Sequence, residues 1–439
     1  MEKQLSRRAF INSSIGMTLA ATSALSSTRS WAGAQPALPS PFAGDAAVNA
    51  RNETYWGEIA SQYDVTSDFI NLENGYYGIM AKPVADEYRR NIEYLNEYSS
   101  YYLRRNYDAT GNDAIRAQIA AAVGAAPEEI AITRGATEAL QNLIVNYKLL
   151  KPGDTVMYAD LDYDSTQYAM NFLKDRRGVD VAQIVIPEPA TRQAILDTYA
   201  KAFVKYPKTR LLLLTHASHR TGLVMPIAEI TKMAKAHHID VIVDAAHTWG
   251  QIDFNASDLG ADFIGFNLHK WIGAPLGVGF MYIRKDRLND IDRQLCDEDY
   301  APTDIRSRVH SGTTNTANVM TIPAALAFHN RVGVKNKGAR LRYLRDYWVS
   351  RVRDFKGVQI LTPDEPGAYG SITSFRLAGK TTKADNVAIV NRIFDRHKVF
   401  TTQRGGVAAG DCVRVTTSLF NRPSDLDQLV AALKDITNS

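Results

Sequence analysis

The chain has 439 residues, with 51 Lys and Arg against 47 Asp and Glu, a formal net charge of +4. Three of those four charges fall in the first 34 residues, where Lys3, Arg7, Arg8 and Arg29 face only Glu2. The rest is nearly neutral and gives no electrostatic reason to expect nucleic acid or anionic lipid as a partner. Two cysteines, Cys296 and Cys412, are too few for a disulfide framework and lack metal-ligand spacing, so no metal site is expected.

Residues 1–34 read as an export leader. Ser6-Arg7-Arg8-Ala9-Phe10-Ile11 matches the twin-arginine pattern, followed by a weakly apolar stretch from Ser14 to Leu25. Ala32-Gly33-Ala34 is a small-x-small cleavage site, which predicts a mature start at Gln35. The apolar stretch is too short and too polar to span a bilayer stably, and no other stretch is long and apolar enough. These features predict passage through the twin-arginine translocase, a periplasmic location and no stable membrane anchor. Residues 36–47, rich in Pro, Ala and Gly, read as an extended linker.

Beyond the linker, β-rich runs alternate with helical patterns. Residues 69–78, Phe-Ile-Asn-Leu-Glu-Asn-Gly-Tyr-Tyr-Gly, read as a strand ending in a tight turn. Residues 98–107 interleave tyrosines with Arg104 and Arg105, which suits a substrate entrance or, the favoured reading, an amphipathic helix with snorkelling arginines. Residues 112–123 carry Ala, Ile and Val at helical spacing. Residues 130–140 then give a strand, a glycine turn and a helix start, where backbone N–H groups and the Thr137 hydroxyl offer a phosphate site. Residues 155–158 form a strand with a loop after it. Residues 210–215 form a buried strand, followed by a polar turn and a covering helix over 226–236. Further on, 332–355 read as a long basic amphipathic helix, 371–377 as a strand, and 383–397 and 423–436 as helices.

Two more β-rich runs carry the chemistry. One ends in Asp244; the other, 263–266, leads into Asn267-Leu268-His269-Lys270, with Trp271 and a Gly-rich segment next. An amine held in such a dry pocket loses charge and becomes a Schiff-base former. Asp244 precedes Lys270 by 26 residues, enough for one short connection and one strand. A carboxylate and a lysine at the ends of neighbouring strands suit pyridoxal 5′-phosphate: the lysine carries the aldehyde and the carboxylate keeps the ring nitrogen protonated.

In these motifs the chain resembles the class V aminotransferase family of fold-type I enzymes, from about Phe69 to Leu433. The resemblance implies an α/β fold with a mostly parallel seven-stranded sheet, helices on both faces and a smaller α+β domain. The expected division is 1–34 leader, 35–112 linker and arm contributing to the small domain, 113–329 large cofactor-binding domain and 330–439 small domain. It places the cofactor phosphate on Gly135, Ala136 and Thr137, with His269 and Asn267 beside it, Asn267 standing where the family commonly has Ser. Tyr163 falls where relatives stack an aromatic or His on the ring. His219 replaces the Asn of "H-x-S-N-x-x-G" and is open to a proton-transfer role. His247 lies near the lysine. In Val309-His-Ser-Gly-Thr-Thr-Asn315, similar to a "G-T-x-N" loop, Thr313 would reach the phosphate of the other subunit in a homodimer with shared active sites. Arg414, in Cys412-Val-Arg-Val-Thr-Thr-Ser-Leu-Phe-Asn421, would grip the substrate α-carboxylate, with Asn74 as a further substrate contact.

The resemblance narrows to the isopenicillin-N-epimerase-like branch. A cysteine desulfurase needs a mobile cysteine around 361–369, and none is there, so that activity is disfavoured. A twin-arginine leader on this branch resembles periplasmic enzymes of pyoverdine maturation, which implies a siderophore-peptide substrate modified at a glutamate amino group. The alternatives are a periplasmic aminotransferase or epimerase of a free amino acid and, from another class, a non-catalytic binding protein on the same fold. The catalytic set expected in common is Lys270, Asp244, His219 and Tyr163.

Overall fold

A computed structural model of the chain describes residues 40–438; the leader expected over 1–34, with its cleavage site, lies outside them. In chain order the strands are β1 (Ile70–Asn71), β2 (Ile130–Thr133), β3 (Thr155–Ala159), β4 (Asp180–Ile184), β5 (Thr209–Thr215), β6 (Asp240–Asp244), β7 (Phe263–Asn267), β8 (Gly279–Ile283), β9 (Val358–Ile360), β10 (Ile372–Leu377), β11 (Val399–Phe400), β12 (Thr402–Arg404) and β13 (Cys412–Thr416). β2 to β8 make one seven-stranded sheet in the order β2-β8-β7-β6-β5-β3-β4. The strands from β7 to β4 pair in parallel, and β8 runs antiparallel to both its neighbours.

β3, β7 and β8 are buried at every position, and β5 at every position but Arg210. The reason is that helices cover both faces, so a parallel sheet has no wet side and its strands read as unbroken apolar runs. Phe266 and Phe280 stack with ring centroids 4.3 Å apart, and Trp249 sets its edge against Phe280. This fixes the register of β7 beside β8, and with it the exit direction of the chain into Lys270. The helices expected over 112–123 and 383–397 form as Asn112–Val123 and Lys383–His397. The long basic helix is shorter than its pattern, Val334–Val352, because Gly333, at φ 81°, ends the preceding helix and starts this one.

A second, antiparallel sheet has the order β12-β13-β10-β9. Its core contains Trp348, Phe375, Val413, Val415 and Leu429. The 69–78 segment belongs with this sheet, not with the large one. β1 pairs with β11, and the Thr416 N–H donates to the Leu72 carbonyl at 2.7 Å. Residues more than 300 positions apart thus lie side by side, which places Glu73 next to Arg414. Tyr98 and Tyr101 lie on the exposed side of helix Lys82–Tyr102, and neither they nor Arg104 and Arg105 line the main cavity. Among the described residues no helix is long and apolar enough to cross a membrane.

Gly265 ties the sheet to the helix that would cradle phosphate. A Cβ there would meet Leu140 Cγ at 2.6 Å, on helix Ala136–Val145. Gly265→Ala should therefore cost about 1–3 kcal/mol by overpacking, read as a lower urea midpoint with unchanged slope.

Candidate active site

Five loops leave the carboxyl ends of parallel strands on one side of the large sheet: those after β2, β3, β5, β6 and β7. β4 lies on one side of β3 and β5 on the other, a switch in strand order, and crevices open outside such points. A cavity of about 840 Å³ lies at these strand ends. Every residue expected to act there lines it except Asn74 and Thr313.

The centre is Lys270. Its Nζ lies 2.7 Å from His247 Nε2. Burial drives the amine down to about 7, opposed by the Asp244 carboxylate and assisted by the Arg414 guanidinium. His247 is held well below its ordinary value by burial and by the Lys270 charge, so its ring is neutral. Asp244 ends β6, and its Oδ1 accepts the Ala246 N–H at 2.9 Å. Burial pushes its carboxyl up, partly offset by that bond and by Lys270. A cationic ring N–H beside it would favour the carboxylate again.

Gly135, Ala136 and Thr137 start helix Ala136–Val145. Gly135 has φ 152°, and a Cβ there would come within 3.1 Å of Asn267 Oδ1 and 3.4 Å of His269 Cε1, which demands glycine. The Ala136 N–H already donates to Asn267 Oδ1 at 2.7 Å. Asn267 therefore caps the helix that an anion would approach, and the N–H groups of Thr137 and Glu138 have no carbonyl ahead of them in the helix. His269 Nδ1 lies 3.1 Å from the Val278 carbonyl and so carries the proton, which leaves Nε2 to the cavity. Burial, with the Lys270 charge, lowers this imidazole to about 4. Nε2 is an acceptor until a dianion beside it favours the cationic ring.

His219 follows β5 and Tyr163 follows β3. Their rings meet edge to face at 5.1 Å. His219 is kept neutral by burial and by the neighbouring Arg220 and Arg414 charges. Tyr163, 36% exposed, is the most open of the pair.

Arg414, on β13, is fully buried and donates from Nη1 to the His219 carbonyl at 2.7 Å. Its Nη2 donates to Glu73 Oε1 at 2.5 Å, and Arg404 Nη2 donates to the same oxygen at 3.0 Å. Sequence reasoning missed both Glu73 and Arg404. Arg404 had a faint signal: it sits in Gln403-Arg404-Gly405-Gly406, a basic residue before a glycine pair. Glu73 had none, because its meaning depends on an arginine 341 positions away.

Asn74, expected as a further substrate contact, is not among the residues that line this cavity. Its amide donates to the Thr416 carbonyl at 2.9 Å and the Asn71 carbonyl at 3.2 Å, and its Oδ1 accepts from Asn71 Nδ2 at 3.1 Å. A side chain so bonded is a knot between the 69–78 segment and β13 and does not face the cavity. Thr313 is exposed on the 309–315 loop, away from this chain's cavity. That loop is stitched to the cavity rim, where Ser311 Oγ donates to Glu138 Oε1 at 2.8 Å.

Five polar atoms of cavity residues are buried without a hydrogen-bond partner: Thr215 Oγ1, His219 Nδ1, His247 Nδ1, Arg404 Nε and Arg414 Nε. Buried polar groups ordinarily have partners, so these atoms are left available to a polar ligand in the cavity. With a low-pKa amine, a buried carboxylate and a glycine-lined helix start, the residues present fit pyridoxal 5′-phosphate. Neither cysteine lines the cavity, and both are free: Cys296 is exposed, and burial raises the Cys412 thiol to about 11.

Fold and site together define a fold-type I pyridoxal-phosphate enzyme. Residues 83–429 match the aminotransferase class-V profile, and the chain belongs to that family, whose cofactor is pyridoxal 5′-phosphate. It is 25% identical over 401 residues to an isopenicillin N epimerase from Streptomyces clavuligerus, covering 87% of this chain and 98% of that one. It is also 25% identical to a cysteine desulfurase from Haloferax volcanii, covering 84% and 90%. Among solved structures, the cysteine desulfurase CsdA from Escherichia coli superposes with a TM-score of 0.73 at 18% identity, covering 87% of this chain and 98% of that one. The cystine C-S lyase C-DES superposes with 0.72 at 21%, covering 84% and 98%. At such identities the structures establish the fold alone.

Labelling of the cofactor-free protein with trinitrobenzenesulfonate should show Lys270 half-titrating near pH 7, whereas exposed lysines need pH about 10. Asp244→Asn should move the Lys270 midpoint lower, because the carboxylate favours the charged amine.

Proposed function

We propose that this chain acts at the Cα of an amino-acid moiety, with Lys270 as the residue that holds the cofactor covalently. The observation that carries the reading is the Lys270–His247 pair, an amine near neutrality 2.7 Å from a neutral imidazole, in one cavity with Asp244 and Arg414. Bound cofactor supplies an electron sink that makes a Cα substituent acidic or labile. The other parts belong to the protein. Asp244 holds the ring nitrogen. Gly135, Ala136 and Thr137, with His269, hold the phosphate, and Asn267 keeps their helix start in place. Arg414 orients a carboxylate in its fork. Lys270 Nζ and His247 Nε2 hand a proton between them, and Tyr163 and His219 form a second proton-handling pair. Thr313 reaches the partner's phosphate in a homodimer.

The substrate reading is an amino acid borne on a siderophore peptide of the pyoverdine type, modified at a glutamate amino group in the periplasm after twin-arginine export. Its support is the leader at 1–34 combined with an epimerase-like chain. A second reading is epimerisation or transamination of a free amino acid. It is favoured by the 25% identity to isopenicillin N epimerase across most of both chains and by the Lys270–His247 pair sharing one cavity with His219 and Tyr163. Desulfuration fits less well, because neither cysteine lines the cavity.

The mature protein, reconstituted with pyridoxal 5′-phosphate, should be yellow, and Lys270→Ala should lose the cofactor on borohydride reduction and denaturation. Bleaching by L-glutamate with recovery on adding a 2-oxo acid marks an aminotransferase. Exchange of the Cα hydrogen with solvent, without bleaching, marks an epimerase. Indifference to free amino acids, with an unchanged siderophore profile in a strain lacking the protein, would remove the peptide reading. Arg7→Lys with Arg8→Lys should leave the protein in the cytoplasm.

A further inference from the structure

Two arginines of the cavity, Arg404 and Arg414, converge on one oxygen of the chain's own Glu73. Glu73 is itself nearly buried, with its side chain 7% exposed. Its other oxygen, Oε2, accepts the Gly75 N–H at 3.0 Å, and its backbone N–H donates to Asn71 Oδ1 at 2.9 Å. The segment that carries it bridges to Thr416 on the strand of Arg414, so carboxylate and guanidinium ride on one body. Gly75 lets them close: a Cβ there would lie 2.8 Å from Arg414 Nη2.

The guanidinium meant for a ligand carboxylate therefore already faces a carboxylate of the protein. Arg414 has five N–H donors at most. One goes to the His219 carbonyl and one to Glu73, while Nε is buried without a partner, as is Arg404 Nε. Two guanidinium charges against one carboxylate leave a single positive charge for an incoming anion.

We propose that Glu73 is a specificity-determining residue, a built-in competitor that lowers the affinity of Arg414 for carboxylates. Small free carboxylates and amino acids, which have little else to hold them, are then disfavoured. A carboxylate on a larger molecule, with contacts elsewhere in the cavity, still binds. The proposal rests on the reading that Arg414 takes the substrate carboxylate.

Removing the negative charge while keeping the acceptor for the Gly75 N–H isolates the effect. Titration calorimetry of succinate into the cofactor-free protein, with wild type beside Glu73→Gln, reads it without any turnover. Binding by the variant should be tighter on the order of tenfold. Unchanged or weaker binding overturns the proposal and makes Glu73 a residue that only steadies the two arginines. Should Glu73→Gln fail to fold, acetate should raise the Tm of Glu73→Ala by filling the vacated partner position of Arg414 and leave wild type unmoved; no rise overturns the proposal. Arg414→Leu separates the two levels. If it leaves wild-type succinate binding intact, the assignment of Arg414 itself fails, whereas loss of binding with no gain from Glu73→Gln sinks only the role of Glu73.

Discussion

The molecule turns on one electrostatic constraint: an amine is held half-buried at the end of a buried strand, where its charge is poorly solvated. Lys270 can be neutral near pH 7 because its surroundings desolvate it, and the nearest polar partner, His247, is itself neutral. That environment needs several strand ends in one place. Asp244 closes β6, the Lys270 turn follows β7, His219 follows β5 and Tyr163 follows β3. Phe266 against Phe280, and Gly265 against Leu140, keep those ends in register, so core packing and amine chemistry are parts of one arrangement.

The small sheet contributes the opposite charge balance. It brings Arg414 and Arg404 to the cavity as a pair of cations, and the 69–78 segment answers them with Glu73. The same segment meets the large sheet's loop, where the Gly78 N–H donates to the His269 carbonyl at 2.8 Å. A Cβ at Gly78 would lie 2.0 Å from the Lys270 carbonyl oxygen. One ten-residue stretch therefore touches both the lysine turn and the arginine clamp, so movement of either is felt by the other. A buried second lysine, Lys337, braces the far side by donating to the Trp271 carbonyl at 2.5 Å.

Much of the large domain was legible because its signals are local. The strand–glycine–helix step at 130–140, the apolar runs ending in Asp244 and Asn267, and the helix over 112–123 all depend on neighbours within one or two turns, as does the helix over 383–397 in the small domain. The weaker readings involved partners far along the chain. Asn74 reads as a polar residue in a glycine turn, and only its bonds to Thr416 and Asn71 make it a structural knot. Tyr98 to Arg105 read ambiguously as entrance or amphipathic helix, and the exposed tyrosines of that stretch lie away from the main cavity.

By itself the sequence determined the family, the order of the strands that carry the chemistry, and the lysine and aspartate that stand at their ends, because apolar periodicity and glycine placement are written in consecutive residues. Tertiary structure decided the charge state of the site. Whether Lys270 is neutral, whether Asn267 caps a helix, and which carboxylate Arg414 faces depend on desolvation and on contacts across hundreds of residues. Those are properties of a low-dielectric cavity, which exists only when the two sheets have come together.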